Sequence, residues 1–228
     1  MAVKVDPDSS TRDYSAAQVR RNCEGSLERL GLDRIPLLYL HDPEDATSDD
    51  LLAPGGAVDE LVKLRDEGLA EHLGLAGGSV DVLRRYLDSD VFEVLISHNR
   101  WTLLDRSADE LFDHAIGKGV AIVNAAPFGG GILATGASRR VTHAYAEASP
   151  ELLDSVRRME AICAAAGVPL AAAALEFSMR EPRVTSTIVG VTRPERIAQT
   201  ERLATWPIPD DIWAQLAPLA MPPDTWLY

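Results

Sequence analysis

His41 is the first residue whose type and place suit chemistry, because it follows the apolar run Pro36-Leu37-Leu38-Tyr39-Leu40 and precedes Asp42-Pro43. An imidazole with an unperturbed pKa of about 6.5 can transfer a proton or orient a carbonyl near neutral pH. A strand-end histidine bonded to backbone is the competing reading. Lys4, in Ala2-Val3-Lys4-Val5, also stands near a strand end, and alone it reads as a solvated lysine. His98 ends another apolar run and precedes Asn99-Arg100-Trp101, where it either lines a pocket or is incidental. Thr192-Arg193-Pro194-Glu195 has the pattern of a capping box with proline in the first helical turn. Its free N–H groups, with Arg193 and Arg196, would attract an anion such as phosphate; the alternative is a plain helix start with solvated arginines. Phe128-Gly129-Gly130-Gly131 lacks the spacing of a dinucleotide-binding loop and reads as a flexible loop. His72, His114 and His143 have no metal-ligand spacing, and the separated Cys23 and Cys163 read as buried thiols.

Strand and helix signals alternate along the chain and would carry these residues. A short strand at 2–5 enters the turn-rich stretch 6–11, and Ser15 with Gln18 forms a capping-box pattern for a helix reaching Leu30. Gly31 ends that helix, and the strand before His41 is apolar on both faces. Helices follow near 57–66, 80–87 and 108–118, alternating with strands near 72–75, 92–97 and 120–124. Past the loop 127–131, helices are expected at 152–166 and 170–180, the last strand at 186–190, helices at 194–203 and 210–217, and a tail at 221–228. About six strand-helix units predict a parallel α/β sheet, either doubly wound or part of a (β/α)8 barrel, and both place active groups at strand C-terminal ends. No composition shift marks a linker, so residues 1–228 read as a single domain.

The 228 residues are 46% hydrophobic and 25% charged, which is ordinary globular composition. A formal charge of −13 disfavours broad contact with nucleic acid or anionic membrane, though a local basic pocket for one phosphate is compatible with it. The N-terminus has no apolar signal region and no run is long enough to span a bilayer, so a cytoplasmic location is expected.

The run 26–35 leading into Leu37-Leu38-Tyr39-Leu40-His41-Asp42-Pro43 resembles the aldo-keto reductase family. So do Trp101-Thr102-Leu103-Leu104-Asp105-Arg106, Asn124-Ala125-Ala126-Pro127-Phe128 with Gly131-Ile132-Leu133, and Gly190 followed by Arg193-Pro194-Glu195-Arg196-Ile197. The likeness covers nearly the whole chain, with wording most like the aldose 1-dehydrogenase branch. It implies a (β/α)8 barrel, incomplete at the N-terminus, that binds NADP or NAD and moves hydride between nicotinamide and an aldehyde, ketone or aldose. His41 matches the family's catalytic histidine and Lys4 its lysine. The family's aspartate and its tyrosine proton donor belong to units before that lysine and have no counterpart here. Tyr14 lies in the wrong segment to be carried over. The carboxamide-binding Ser-Asn pair falls on Ala76 and Gly77, a glutamine on His98, and the nicotinamide-stacking aromatic on Ala125. Arg196 matches the phosphate-binding arginine, and Gln199 and Thr200 replace a Glu-Asn pair. Gly190 stands where a lysine often holds a 2′-phosphate, with Thr192 and Arg193 beside it.

Three readings follow: an oxidoreductase of this type, an inactive barrel remnant that binds nucleotide or a partner, or a truncated reading frame. Open sheet edges would favour homo-oligomers or low stability.

Overall fold

The structure is a computed structural model that describes residues 1–46, 51–138, 142–144 and 146–227. Its main sheet has the strand order β1-β2-β3-β4-β5-β8, using the strands β1 (Val3–Val5), β2 (Ile35–His41), β3 (Ala70–Gly77), β4 (Val94–His98), β5 (Ala121–Ala125) and β8 (Val184–Ile188). The helices between them are α1 (Ala16–Leu30), α2 (Ala57–Asp66), α3 (Val80–Leu87), α4 (Asp109–Gly117), α5 (Ile132–Thr135), α6 (Pro150–Ala165) and α7 (Leu170–Met179), followed by α8 (Glu195–Ala204) and α9 (Asp211–Leu216). A small antiparallel pair, β6 (Thr142–His143) with β7 (Ala146–Glu147), was not expected from the sequence. The alternation expected from hydrophobic patterning is present, with most boundaries displaced by one or two residues. Among the described residues no single helix is long and apolar enough to cross a membrane.

The chain divides into two compact units, Met1–Ile96 with Leu111–Ile122, and Ser97–Glu110 with Val123–Tyr228. In the first, β1, β2 and β3 are parallel, and Leu38, Leu40, Leu73 and Leu75 are fully buried with Leu61 and Leu64 of α2. Ser15 caps α1 by accepting from the Gln18 N–H at 3.3 Å. The reciprocal half of the expected capping box does not form: Gln18 binds Arg21, and the Ser15 N–H donates instead to Asp13 at 2.8 Å. Gly31 ends α1 in the left-handed region, and the Leu32 N–H reaches back to the Leu27 carbonyl at 3.0 Å, closing the terminus as a Schellman motif.

The second unit has its own core around Leu104, Ile132, Leu133, Val156, Met159, Ala173 and Ile212. Cys163 is buried within it as Cys23 is in the first unit, and burial pushes both thiols up to about 11. The expected tail is pinned rather than loose, because the Leu227 N–H donates to the buried Asp105 carboxylate at 2.9 Å and the Trp226 indole to the Met221 carbonyl at 2.7 Å. Tyr228 lies outside the described residues. By contrast, β8 and α8 bury no residue within the chain.

Tyr39 faces Gly74 across the β2–β3 register, and a Cβ at residue 74 would lie 2.3 Å from the Tyr39 ring. Gly74→Ala should therefore overpack this face and destabilise the protein by about 1–3 kcal/mol, read as a lower urea midpoint. An unchanged midpoint would show that Tyr39 moves aside freely.

Candidate active site

Side chains alternate along a strand, so the parallel register of β1, β2 and β3 arranges residues in rows on one face. Lys4 is opposite Tyr39, which is opposite Gly74; two residues on, His41 is opposite Ala76. Asp6, one residue past β1, completes the second row beside His41. Here the structure joins the two residues carried forward as catalytic: Lys4 Nζ is 2.9 Å from His41 Nε2. Asp6 Oδ1 is hydrogen-bonded to His41 Nδ1 on the other side of the ring. A carboxylate can only accept, so it holds a proton on Nδ1 and leaves Nε2 as the acceptor for the Lys4 ammonium. Asp42 Oδ2 lies 3.3 Å from the same Nε2. Burial pushes the Asp42 carboxyl above its ordinary value, opposed by the neighbouring His41 ring and Lys4 ammonium. An anchored imidazole beside an ammonium can orient a carbonyl oxygen and stabilise the negative charge that develops there.

The chain returns from β1 to α1 through a turn in which Asp8 accepts from the Ser10 and Thr11 N–H groups at 3.0 and 2.8 Å. The Ser10 hydroxyl, at 2.7 Å, together with those N–H groups, holds the Asp8 carboxyl well below its usual range. The turn delivers Tyr14 to the strand ends. Its hydroxyl accepts from the His41 N–H at 2.9 Å and lies 2.6 Å from the Val5 carbonyl and 2.7 Å from that of His41. Tyr14 is 3% exposed, and burial pushes its phenol above the ordinary range. It is a brace between β1 and β2, not a poised acid. Tyr39, in register with Lys4, is also pushed up by burial, to about 12.

Ala76 and Gly77 contribute no side-chain donor. Glu44, which sequence reasoning missed, supplies the polar group there: its Oε1 accepts from the Gly78 N–H at 2.6 Å and the Ser79 N–H at 3.1 Å. A Cβ on Gly77 would lie 2.7 Å from the Glu44 carboxylate, so the glycine makes room for it. The missed signal is an acidic turn after one strand paired with Gly-Gly-Ser before the next helix, a juxtaposition visible only once β2 and β3 are adjacent.

The second unit holds a separate cleft of about 540 Å³. Gly190, Arg196, Gln199 and Thr200 line it, together with Phe128, Gly130 and Gly131. Positions 196, 199 and 200 share one face of α8 by their spacing of three and four. Thr192 and Arg193 do not line the cleft. Pro194 already has helical dihedrals and α8 has no side-chain cap, so the expected capping by Thr192 does not form. The Arg196 and Ile197 N–H groups donate to the Arg193 and Pro194 carbonyls, each at 3.0 Å. The supposed flexible loop is a tight turn with Gly129, Gly130 and Gly131 all at positive φ. Gly130 must lack a side chain, since a Cβ would lie 2.9 Å from the Ala144 backbone nitrogen. His98 and Ala125 do not line this cleft either; they end adjacent strands, the Asn99 N–H donating to the Ala125 carbonyl at 3.2 Å.

A cleft with one guanidinium, two neutral polar side chains and a glycine turn fits the adenosine-phosphate part of a nicotinamide nucleotide. Ala76, Gly77 and Ala125 offer neither donor nor ring to its nicotinamide part.

The sequence matches the aldo/keto reductase family over residues 1–220. The chain belongs to that family. It is 36% identical over 215 residues to D-threo-aldose 1-dehydrogenase from a Pseudomonas species, covering 92% of this chain and 65% of that protein. Identity to pyridoxal 4-dehydrogenase from Microbacterium luteolum is 34% over 90% of this chain and 62% of that protein. For L-galactose dehydrogenase from Arabidopsis thaliana it is 27%, over 85% and 60%. The chain thus spans less than two thirds of the length of these curated relatives. The aldo-keto reductase AKR11C1 from Bacillus halodurans, in its holo form, superposes with a TM-score of 0.75 at 21% identity, over 96% of this chain and 71% of that one. The α/β barrel-type fold is therefore shared.

Tyr14→Phe removes the hydroxyl that joins β1 to β2 and leaves buried backbone groups without it. A loss of roughly 1–3 kcal/mol in urea unfolding is expected, with no loss if those groups find other partners.

Proposed function

We propose that this aldo/keto reductase chain binds NAD or NADP and serves hydride transfer between the nicotinamide and the carbonyl of an aldehyde, ketone or aldose. The observation that carries the reading is the Asp6–His41–Lys4 arrangement at the ends of β1 and β2, with Lys4 Nζ 2.9 Å from His41 Nε2. A bound nicotinamide would give or take the hydride, and, with no side chain here poised as an acid, solvent would give or take the accompanying proton. His41 and Lys4 orient the substrate oxygen and balance its charge, Asp6 keeps the imidazole in one tautomer, and Tyr14 fixes the backbone that bears it. Arg196 holds a cofactor phosphate, with Gln199 and Thr200 at the adenosine and Gly190 at the wall. The names of the relatives support the substrate class: two are aldose or sugar dehydrogenases and one acts on an aldehyde. Gly190 brings no charge to a 2′-phosphate, so both coenzymes enter the test.

A second reading, a nucleotide-binding module without turnover, is favoured by one observation. The Tyr14 hydroxyl is taken up by the Val5 and His41 carbonyls and the His41 N–H, leaving no proton free for a substrate, and burial pushes it and Tyr39 away from the acidity a proton donor needs.

Fluorescence titration with NADH and NADPH, followed by turnover assays on aldoses and aldehydes, separates the two. Turnover that His41→Ala lowers by about 10²- to 10⁴-fold supports the first reading. Binding that Arg196→Ala weakens by about tenfold, without turnover, supports the second. Neither binding nor turnover overturns both.

A further inference from the structure

The second unit contains another cleft, of about 310 Å³, between the turn after β4, the C-terminal end of α7, and α9. Its walls are Trp101, Arg106, Phe177, Arg180, Glu181 and Trp213. None of these residues lines the cleft that carries Arg196. Trp101 and Phe177 stack with centroids 5.5 Å apart at 28°, and Arg183 lies over the Trp101 ring at 5.2 Å, so the pair lines the cleft as an aromatic wall flanked by guanidinium groups. Arg106 lies over the Phe177 ring at 4.8 Å, and Arg180 over the Trp213 ring at 4.3 Å.

The charge around these arginines is unusual for a chain with a net charge of −13. One of the acids beside them, Glu181, lines the cleft and is bound by Arg183 at 2.7 Å, and the same guanidinium binds Asp109 at 2.7 Å, so it is shared between two carboxylates. Among the described residues the side chains of Arg106 and Arg180 make no hydrogen bond or ion pair, and the buried Nε of Arg106 has no partner. Stacking on an aromatic ring covers one face of a guanidinium and leaves its in-plane N–H groups directed outward. Burial lowers the Arg106 pKa, with the nearby charge of Asp109 acting in the opposite direction without forming an ion pair with it. Such a group costs stability unless an acceptor meets it.

We propose that this cleft binds a small, flat organic carboxylate, its ring against Trp101 and Phe177 and its carboxylate on Arg106 and Arg180. Guanidinium groups match a carboxylate through paired, charge-assisted hydrogen bonds. The volume is at the lower end of the range for small-molecule sites and excludes a whole dinucleotide. The net negative charge disfavours a polyanion, and a bare inorganic ion would leave the aromatic wall unused. The site is independent of the proposed redox reaction.

The test is calorimetric titration of the full chain with 2-naphthoate, with its neutral isostere 2-naphthamide, and with inorganic phosphate. Naphthoate should bind, with the amide and phosphate each weaker by about tenfold or more, the value of a charge-assisted contact. Arg106→Gln and Arg180→Gln should each weaken naphthoate by about tenfold or more. Arg180 is exposed, so its substitution gives a folded variant even if the change at Arg106 does not. Equal binding of acid and amide, binding untouched by Arg180→Gln, or no binding of naphthoate would overturn the proposal. Phosphate binding as tight as naphthoate would overturn its aromatic half.

Discussion

In a parallel sheet, the stagger between strands decides which side chains meet, and a one-residue slip turns every side chain to the other face. In the first unit the stagger places Lys4 beside Tyr39 and His41 beside Ala76. Everything else at these strand ends depends on it. Asp6 can reach His41 Nδ1 only because β1 ends one residue earlier, and the Tyr14 hydroxyl can meet both strands because Val5 and His41 lie one register step apart on neighbouring strands. The ionic cluster is thus a consequence of main-chain register. The buried leucines of β2 and β3 hold that register from the opposite face, since exposing them would cost about 1.5–3 kcal/mol each.

The second unit solves a different problem. Three of its cationic side chains line two clefts of a strongly acidic chain, Arg196 on α8 in one, and Arg106 in the turn after β4 with Arg180 at the end of α7 in the other. Confined positive charge within a negative field repels extended polyanions while accepting one small anion at close range. The glycine turn at 129–131 adds a backbone wall that no side chain could replace without moving Ala144.

Much of this was legible in the sequence, and the limits have physical causes. His41 was found because an apolar run followed by a polar residue and proline marks a strand end, and Lys4 because the family resemblance supplied its partner. Asp6 was passed over, and Tyr14 was weighed only as a proton donor and set aside, because both belong to the return from β1 to α1, and contacts closed by a turn leave no periodic trace. Glu44 was missed for a related reason: its partners Gly78 and Ser79 are more than thirty residues away. The capping box at Thr192 was a correct pattern in the wrong frame, since Pro194 had already entered the helical region. The glycine turn failed a test for one phosphate-binding spacing and was set aside, although three glycines after a strand are themselves a signal of tight backbone.

The fit of Tyr39 over Gly74 has a consequence beyond stability. With the ring occupying the space a methyl group would need, the two positions are not free to drift separately. A lineage that acquires any side chain at position 74 must first give up the ring at position 39, so across relatives these two sites should carry one joint history of substitution rather than two.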